Sequence, residues 1–310
     1  MFAGLLAWKD AKYQTADFAS FFTVANLIVI LIQTAIVAIG ALGMTMIIIS
    51  GGIDLSVGSV VALTSVIGAV LIRDSSSVAT AVAVTILAGG FIGLINGTLI
   101  AAFRLTPFIV TLGMLGVARG LAKGIAQNQT VNFPESAIAR IMNEPMFFES
   151  MPPGGVALAI LLAIFMGVLM QQTVFGRYIF AIGSNEATAR LCGIRTRRIK
   201  IFIYSLGGLF FGTAGVMQLS RLRQGDPTAA VGLELDLIAA VVIGGASLNG
   251  GTGSILGSMI GALTMAVLRT GSQYMDWPTY MQEIIIGVLI ILAVGLDQFR
   301  QRRRKMTGGG

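Results

Sequence analysis

Apolar runs repeat from one end of this 310-residue chain to the other, and charged side chains are scarce. Apolar residues make up 55% of the sequence and charged residues 11%, against roughly 25% charged in a soluble globular domain. The mean hydropathy is +0.86. Such a surface cannot face mostly water, so we expect an all-α membrane protein with several spans. The same composition argues against nucleic-acid binding, although the net charge is +7.

The residue types that are absent remove several kinds of chemistry. The chain has no histidine, which excludes imidazole acid–base catalysis and His-ligated zinc or iron sites. The single Cys192 can form neither an intramolecular disulfide nor a thiolate cluster. The sequence also lacks the G-x-x-x-x-G-K-[ST] loop, so it does not hydrolyse ATP by that route. We therefore expect no cofactor and no metal site.

Nine apolar stretches have the composition of helices that cross, or partly cross, a bilayer. They cover residues 26–50, 56–72, 78–103, 107–126, 156–174, 201–219, 237–248, 255–268 and 283–296. Several approach the roughly 20 residues that a helix needs to cross the hydrocarbon core. Residues 237–248 are too few, and we interpret them as a re-entrant or broken helix. The prediction is a single transmembrane domain over residues 1–310, a helical bundle of about nine to ten spans that include short or broken helices.

Basic residues are concentrated in two stretches that indicate the orientation. Residues 177–200 contain six of them against one acid, and residues 300–305 contain five and no acid. Both stretches are predicted to be cytoplasmic, because Lys and Arg are enriched on that side of membrane proteins. Alternating the spans from these anchors places residues 127–155 outside. The basic tail, residues 300–310, and the C-terminus are expected in the cytoplasm.

The start of the chain does not fit this count. Nine crossings with a cytoplasmic C-terminus would put the first residue outside. Residues 1–25 include Lys9, Asp10 and Asp17, so they cannot span the bilayer as written. We interpret Met1–Trp8 as the last turns of a first helix.

Two glycines and an aspartate interrupt the apolar pattern at Gly51–Ser59 (GGIDLSVGS). An Asp at the centre of a membrane helix costs roughly 2.5–3.5 kcal/mol on insertion scales, so Asp54 must face protein, water or an interface. The glycines permit a chain break, after which Asp54 can accept the free N–H groups of the next helix. The segment is either an interfacial helix start or a broken helix that lines a solute path with Ser56. Asn96, on a nearby glycine-lined face, is expected to bond across helices or to touch solute.

A second interruption lies at Glu234–Ser254, where a short apolar piece is bounded by acids and then by glycines. Leu235-Asp236-Leu237 matches Ile53-Asp54-Leu55, and the two segments run in opposite directions in the predicted topology. An inverted repeat would produce this pattern, and transporters often place their site at such interruptions. Three matched residues are also compatible with coincidence. We add Glu234 and Asp236 to the candidate translocation path.

A short helix of about two turns is predicted in the basic loop at Gly183–Ile194 (GSNEATARLCGI). Ser184 or Asn185 can cap its start, Glu186 suits the positive end of the helix dipole, and Gly193 suits the position after the last turn. The helix is too short to be stable alone. It either folds back on its own bundle or lies in a groove of a cytoplasmic partner. The residues that would make the partner contact are Ser184, Asn185, Glu186, Ala187, Arg190, Leu191 and Gly193.

Glycine is unusually frequent, with 40 residues, and much of it recurs at small-xxx-small spacing. The series are Gly89/Gly93/Gly97, Gly116/Gly120/Gly124, Gly208/Gly212 and Gly253/Gly257/Gly261. This spacing lets membrane helices approach closely, so we expect these faces to be packed.

Further ordered motifs accompany these segments along nearly the whole chain. The blocks are Ala41–Met46, Gly51–Ser59, Pro107–Gly113, Phe175–Tyr178, Gly183–Ile194, Asp226–Ala229, Glu234–Gly245 and Gly253–Gly257. Together they resemble the permease subunits of ribose/xylose/galactose-type bacterial ABC sugar importers, from about Phe21 to the basic tail.

The resemblance implies a bundle of about ten spans in the bacterial inner (plasma) membrane, embedded in lipid and working as a dimer. Its second half would be another copy of the chain or a sister permease. ABC ATPase subunits would hydrolyse ATP beneath it, and a periplasmic sugar-binding protein would deliver solute from above. Residues 175–200 would be the cytoplasmic coupling loop. The family has a further helix at the start, of which residues 1–25 would keep only the end.

The expected function is that of a transport subunit, not an enzyme. It would pass a monosaccharide, a ribose-like pentose or a hexose, into the cytoplasm by alternating access. One alternative is an ABC permease for branched-chain amino acids or nucleosides. Others are an ion-coupled secondary transporter with Asp54 as its coupling site, and a passive channel or scaffold subunit. No motif in the sequence separates one sugar from another.

Overall fold

The computed structural model describes residues 21–145 and 151–307, and the account below concerns those residues. The predictions for residues 1–20 and for residues 308–310 lie outside them. The side chains of the basic tail from Arg300 onward also lie outside the description.

Twelve helices and two short strands follow one another in the described part of the chain. They are α1 Val24–Ile49, α2 Val57–Arg73, α3 Val78–Ala102, α4 Pro107–Ile125, β1 Val131–Asn132, α5 Ala137–Ile141, α6 Gly154–Gln172, α7 Val174–Ser184, α8 Glu186–Leu191, α9 Thr196–Leu222, β2 Gln224–Gly225, α10 Leu233–Ile243, α11 Ile255–Tyr274 and α12 Thr279–Thr307. Strands β1 and β2 pair antiparallel, with Val131 opposite Gly225. The helical, polytopic class predicted from the sequence is confirmed.

Six described helices are long and apolar enough to cross a membrane, namely α1, α3, α4, α6, α9 and α11. Three shorter apolar helices accompany them, at Val57–Arg73, Val174–Ser184 and Thr279–Gly295. Most predicted stretches agree with the helices to within a few residues, and α9 begins five residues earlier than expected. The segment predicted to be broken forms α10, with only 11 residues. The number of spans and the side of the C-terminus stay predictions.

Helix α1 forms the centre of the bundle. Every residue from Gln33 to Ile49 is buried, and the helix packs against α6, α9, α10 and α11. A helix that is apolar all round can be stable only when neighbours surround it, and this segment is rich in Ile and Ala. The interruption after Ile49 therefore lies against the core and not at a free edge.

Helices α3 and α9 make the most extensive contact in the bundle. Gly89 and Gly93 on α3 face Gly208 on α9, and a methyl group on Gly93 would overlap the carbonyl oxygen of Tyr204. The predicted packing is thus confirmed for this series, as it is for Gly257 and Gly261, which lie against α10 and the residue after it.

The series on α4 behaves differently. No described atom lies within 4 Å of the position that a β-carbon would take on Gly116, Gly120 or Gly124. The expectation of a packed face is therefore wrong for contacts within this part of the chain. Small residues at this spacing share one face of a helix, but a helix presents such a face to lipid or to another chain as readily as to its own bundle.

Candidate functional site

The first interruption is a seven-residue break, residues 50–56, between α1 and α2. Ser50 caps the end of α1, and Gly51 turns the chain with φ of +82°, a conformation that glycine adopts without strain. Asp54 is 1% exposed. Its Oδ1 accepts hydrogen bonds from the Ser56 backbone N–H at 2.8 Å and from the Ser56 hydroxyl at 2.6 Å. Asp54 thus binds the residue that precedes α2, and not the first turn of α2 as the sequence suggested.

Asn96 of α3 joins this break from across the bundle. Its amide nitrogen donates to the Ser56 hydroxyl at 3.1 Å and to Oδ2 of Asp54 at 3.4 Å. This confirms the expected bond between helices. Thr111 of α4 also donates to the carbonyl oxygen of Ile53, at 3.3 Å. The break is therefore held in place by side chains from two further helices.

Tyr204 of α9 completes the group, and sequence reasoning missed it. Its side chain is 1% exposed, and a methyl group on Gly52 would overlap its hydroxyl. The hydroxyl has no hydrogen-bond partner among the described residues. A tyrosine in an apolar helix carries no distinctive sequence signal, so only the packing of α9 beside the break reveals it.

The Asp54 cluster, defined as Asp54, Ser56, Asn96 and Tyr204, is closed in this structure. All four side chains are 0–1% exposed. The cluster satisfies Asp54 with neutral donors, and no basic side chain of the described chain pairs with it. Burying a carboxyl group that is hydrogen-bonded only by neutral groups costs free energy. The break is therefore a candidate functional site.

Three irregular segments meet beside this cluster. The backbone N–H of Gly251 donates to the carbonyl oxygen of Ile49 at 2.8 Å. Gly183, at the end of α7, lies so close to that carbonyl that a methyl group on it would overlap the oxygen. The loop after α10 and the last turn of α7, which precedes α8, are thus both in contact with the end of α1.

The second interruption leads into α10, which begins after Gly232 with φ of +81°. Asp236, in the first turn, is 3% exposed and its Oδ2 accepts from Nη2 of Arg269 at 2.6 Å. Arg269 was missed because the predicted apolar stretch ended at residue 268. A lone charged residue inside an apolar helix is itself a functional signal and could have identified it.

The predicted path residues fall into two groups. Asp54, Ser56 and Asn96 lie together, whereas Asp236 pairs with α11 at a separate place. The start of α2 connects the groups, because a methyl group on Gly58 would overlap Glu234 and the carbonyl oxygen of Ala230. The two interruptions are therefore in contact through Gly58, although their aspartates do not share partners.

Arg119 of α4 holds the segment that precedes α10. Its Nη1 donates to the carbonyl oxygens of Pro227 and Ala229, both at 2.8 Å. Buried carbonyl groups in an irregular segment need such partners, since no helix or sheet satisfies them. The sequence did not indicate this role.

The predicted short helix forms as α8, six residues long. Oδ1 of Asn185 accepts from the Thr188 N–H at 3.0 Å, so Asn185 and not Ser184 is the cap. Gly193 follows with φ of +84°, as its predicted position requires. Ala189 is 4% exposed and faces the bundle, whereas Leu191 is 88% exposed. The helix thus rests on its own bundle through one side only and presents a large apolar side chain outward.

Glu186 ties α8 to α9. Its Oε1 accepts from Nη2 of Arg190 at 3.0 Å, and its Oε2 accepts from Nζ of Lys200 at 2.5 Å. Partial burial opposes ionisation of Glu186, but the hydrogen bonds and charges of Lys200 and Arg190 outweigh it and hold the pKa of the carboxyl below its usual value. The carboxylate is therefore charged at neutral pH and fixes the orientation of the helix.

A groove of about 570 Å³ separates α8 from the ends of α3 and α4. Its charged lining consists of Arg104, Glu186, Arg190, Arg195, Arg197 and Lys200. Five basic residues against one acid make the groove attractive to an acidic protein surface.

Comparison of the sequence with known proteins shows what this chain is similar to. The sequence profile of the family described as branched-chain amino acid transport system / permease component matches residues 26–294. The ribose import permease protein of Escherichia coli is 41% identical over 291 residues, covering 91% of this chain and 88% of its own length. The L-arabinose ABC transporter permease protein of Azospirillum brasilense is 38% identical, over 92% of this chain and 83% of its own.

A third relative is the fructose import permease protein of Rhizobium meliloti, 37% identical over 90% of this chain and 79% of its own length. The search of solved structures found no significant match.

Proposed function

The chain belongs to the branched-chain amino acid transport system / permease component family, and we propose that it is the membrane-spanning subunit of an ATP-driven importer for a monosaccharide. The observation that carries this proposal is the near full-length similarity to permeases named for ribose, L-arabinose and fructose, at 41%, 38% and 37% identity. A permease of this kind provides the path and moves by alternating access, while a separate ATPase subunit hydrolyses ATP.

The choice of a sugar over a branched-chain amino acid or a nucleoside rests on those relatives. The family description itself names amino acids, so family membership alone leaves the solute open. A secondary carrier driven by ions would more often bury a relay of acids, whereas Asp54 lies among neutral donors.

We place the protein in the bacterial inner membrane with about nine to ten crossings and its C-terminus in the cytoplasm. Two features support this orientation. The basic residues of the α8 region cluster at one end of the bundle, and the basic tail shares their predicted side.

The coupling helix, α8 with its flanking residues Ser184, Asn185 and Gly193, is the proposed docking point for the ATPase. Leu191 is 88% exposed there, beyond a helix that Glu186 anchors to Lys200. Leu191 would fit an apolar pocket of the partner, and acidic residues around that pocket would pair with the basic groove. The remaining docking residues are Ala187 and Arg190.

A second permease copy, or a sister permease, would complete the dimer. The face of α4 that carries Gly116, Gly120 and Gly124 has no neighbour in the described chain, which supports a contact of this kind. A periplasmic sugar-binding protein would deliver solute at the opposite end of the bundle.

Coupling would run from α8 through Gly183 to the end of α1. Closure of the ATPase subunits pushes α8, and the contacts of Gly183 and Gly251 with Ile49 pass that displacement to the break. The Asp54 cluster, closed here, is the proposed point at which the path opens on the cytoplasmic side. Glu234 and Asp236 belong to the outer part of the path.

Reconstitution tests this function directly. Proteoliposomes that hold the chain with its ATPase and binding protein would be assayed for uptake of pentoses, hexoses, nucleosides and leucine, with and without ATP. We expect ATP-dependent uptake of one monosaccharide. Uptake of leucine or a nucleoside would favour the related importers. Uptake driven by an ion gradient without ATP would establish a secondary carrier, and downhill flux without the ATPase would establish a channel.

A further inference from the structure

A polar cavity of about 200 Å³ lies among α1, α9, α10 and α11. Its hydrogen-bonding side chains are Gln33, Gln218, Arg221, Asp236, Arg269 and Gln273. Arg221 lies 25 residues along α9 from Thr196, which corresponds to about 38 Å at 1.5 Å per residue. The cavity is therefore at the end of the bundle opposite the coupling helix, where a solute would enter.

The polar groups of this cavity are only partly used by one another. Asp236 accepts from Arg269 at 2.6 Å, but Oδ1 of Asp236 and Nε of Arg269 have no partner within the described residues. Asp236 is 3% exposed, and buried unpaired polar atoms of this kind are uncommon in native proteins. They indicate a site whose hydrogen bonds are completed by something else.

Two further observations point the same way. Arg221 lines the same cavity as Arg269, and it forms no ion pair with any acid in the described residues. The amide of Gln33 donates to Gln273 across 3.4 Å, which is long for a hydrogen bond. Two guanidinium groups against one carboxylate would repel a free metal cation. Because Asp236 is paired with Arg269, the lining offers unpaired donors and acceptors to a molecule that both donates and accepts.

We infer that this cavity is a binding site for the hydroxyl groups of a monosaccharide on its way through the permease. The inference rests on the proposed function. Each sugar hydroxyl donates one hydrogen bond and accepts others, which complements a carboxylate acceptor, guanidinium donors and amides that do both. Neighbouring hydroxyls also match the paired oxygens of Asp236 and the paired N–H groups of an arginine.

Direct binding to the permease separates this site from the binding protein. The purified complex of the chain with its ATPase, in lipid nanodiscs and without the binding protein, would be titrated with radiolabelled D-ribose, L-arabinose and D-fructose. Wild type should bind the sugar that it imports. Asp236→Asn should weaken binding by at least roughly tenfold, and Gln218→Leu by roughly 3- to 10-fold, from the hydrogen bonds that each removes.

Gln171→Leu is the matched control, because Gln171 is an exposed helical glutamine on α6, away from the cavity. It should bind sugar as wild type does. Gln273→Leu and Gln218→Leu leave the Asp236–Arg269 pair intact, so they decide the question if Asp236→Asn does not assemble. A sugar lacking one hydroxyl should lose affinity for wild type, and lose less for whichever variant lacks the partner of that hydroxyl.

The outcomes keep this inference apart from the proposed function. If wild type imports a monosaccharide but the complex binds none without its binding protein, the inference is overturned and the function stands. Unchanged affinity in all three cavity variants overturns it as well. If no monosaccharide is imported at all, the proposed function fails, and this site fails with it.

Discussion

Truncating Leu191 to alanine should weaken the attachment of the ATPase to the coupling helix. The side chain is 88% exposed in the single chain and sits on a helix that Glu186 holds in place. If docking buries it, Leu191→Ala removes three carbons from an apolar contact, at about 0.8 kcal/mol for each group. The loss is about 2.4 kcal/mol, equivalent to about 50-fold in the dissociation constant.

The assay is a titration of the purified ATPase against the permease in nanodiscs, with binding measured by interferometry. Leu161→Ala on α6 is the control, because Leu161 is 63% exposed but far along the chain from the coupling helix. We expect its affinity to stay at the wild-type value. Wild-type affinity in Leu191→Ala, or an equal loss in both variants, would refute the assignment of α8 as the docking point. Bulky substitutions at Leu191 should in addition uncouple ATP hydrolysis from sugar uptake.

Two further results are expected. Gly93→Ala should destabilise the bundle by about 1–3 kcal/mol, because the added methyl group meets the backbone of α9. Gly167→Ala, with open space around it, should be neutral or slightly stabilising. Thermal unfolding in detergent measures the difference, and equal melting temperatures for the two variants would contradict it. The ion pairs of Glu186, whose pKa is lowered, should persist from neutral pH down past the ordinary carboxyl pKa and be lost as pH falls through the lowered value. A fluorophore on Cys192, which is exposed next to α8, would report that transition, and Glu186→Gln should abolish it. The same transition in the variant would show that another group is responsible.

Helix positions were the part of the fold that local sequence predicted best. The stretch 78–103 became α3 at Val78–Ala102, and 107–126 became α4 at Pro107–Ile125. Such segments can be recognised in the sequence because, in a bilayer, each must be apolar over a set length and must form its backbone hydrogen bonds internally. Helix α7 was not recognised as a separate helix, since it continues from α6 with only Thr173 between them.

The candidate site was predicted in outline and corrected in its contacts. Asp54, Asn96 and Asp236 were found because polar groups in apolar surroundings are conspicuous in sequence. Their partners were harder to find: Tyr204 resembles any core aromatic residue. Arg269 lies just past the end of a predicted stretch. Which polar groups meet depends on the rotation and tilt of whole helices, which no short window of sequence records.

By itself, the sequence determined that this is a polytopic membrane protein with scarce charge, and its ordered motifs determined the family. Both follow from local rules: the bilayer constrains each segment separately, and each motif is contiguous. Tertiary structure decided that the break at Asp54 is closed by α3 and α9, that Gly183 touches the end of α1, and that six polar side chains from four helices surround one cavity. Those features arise from helices packing at glycine contacts, where a fraction of an ångström sets which side chains face each other.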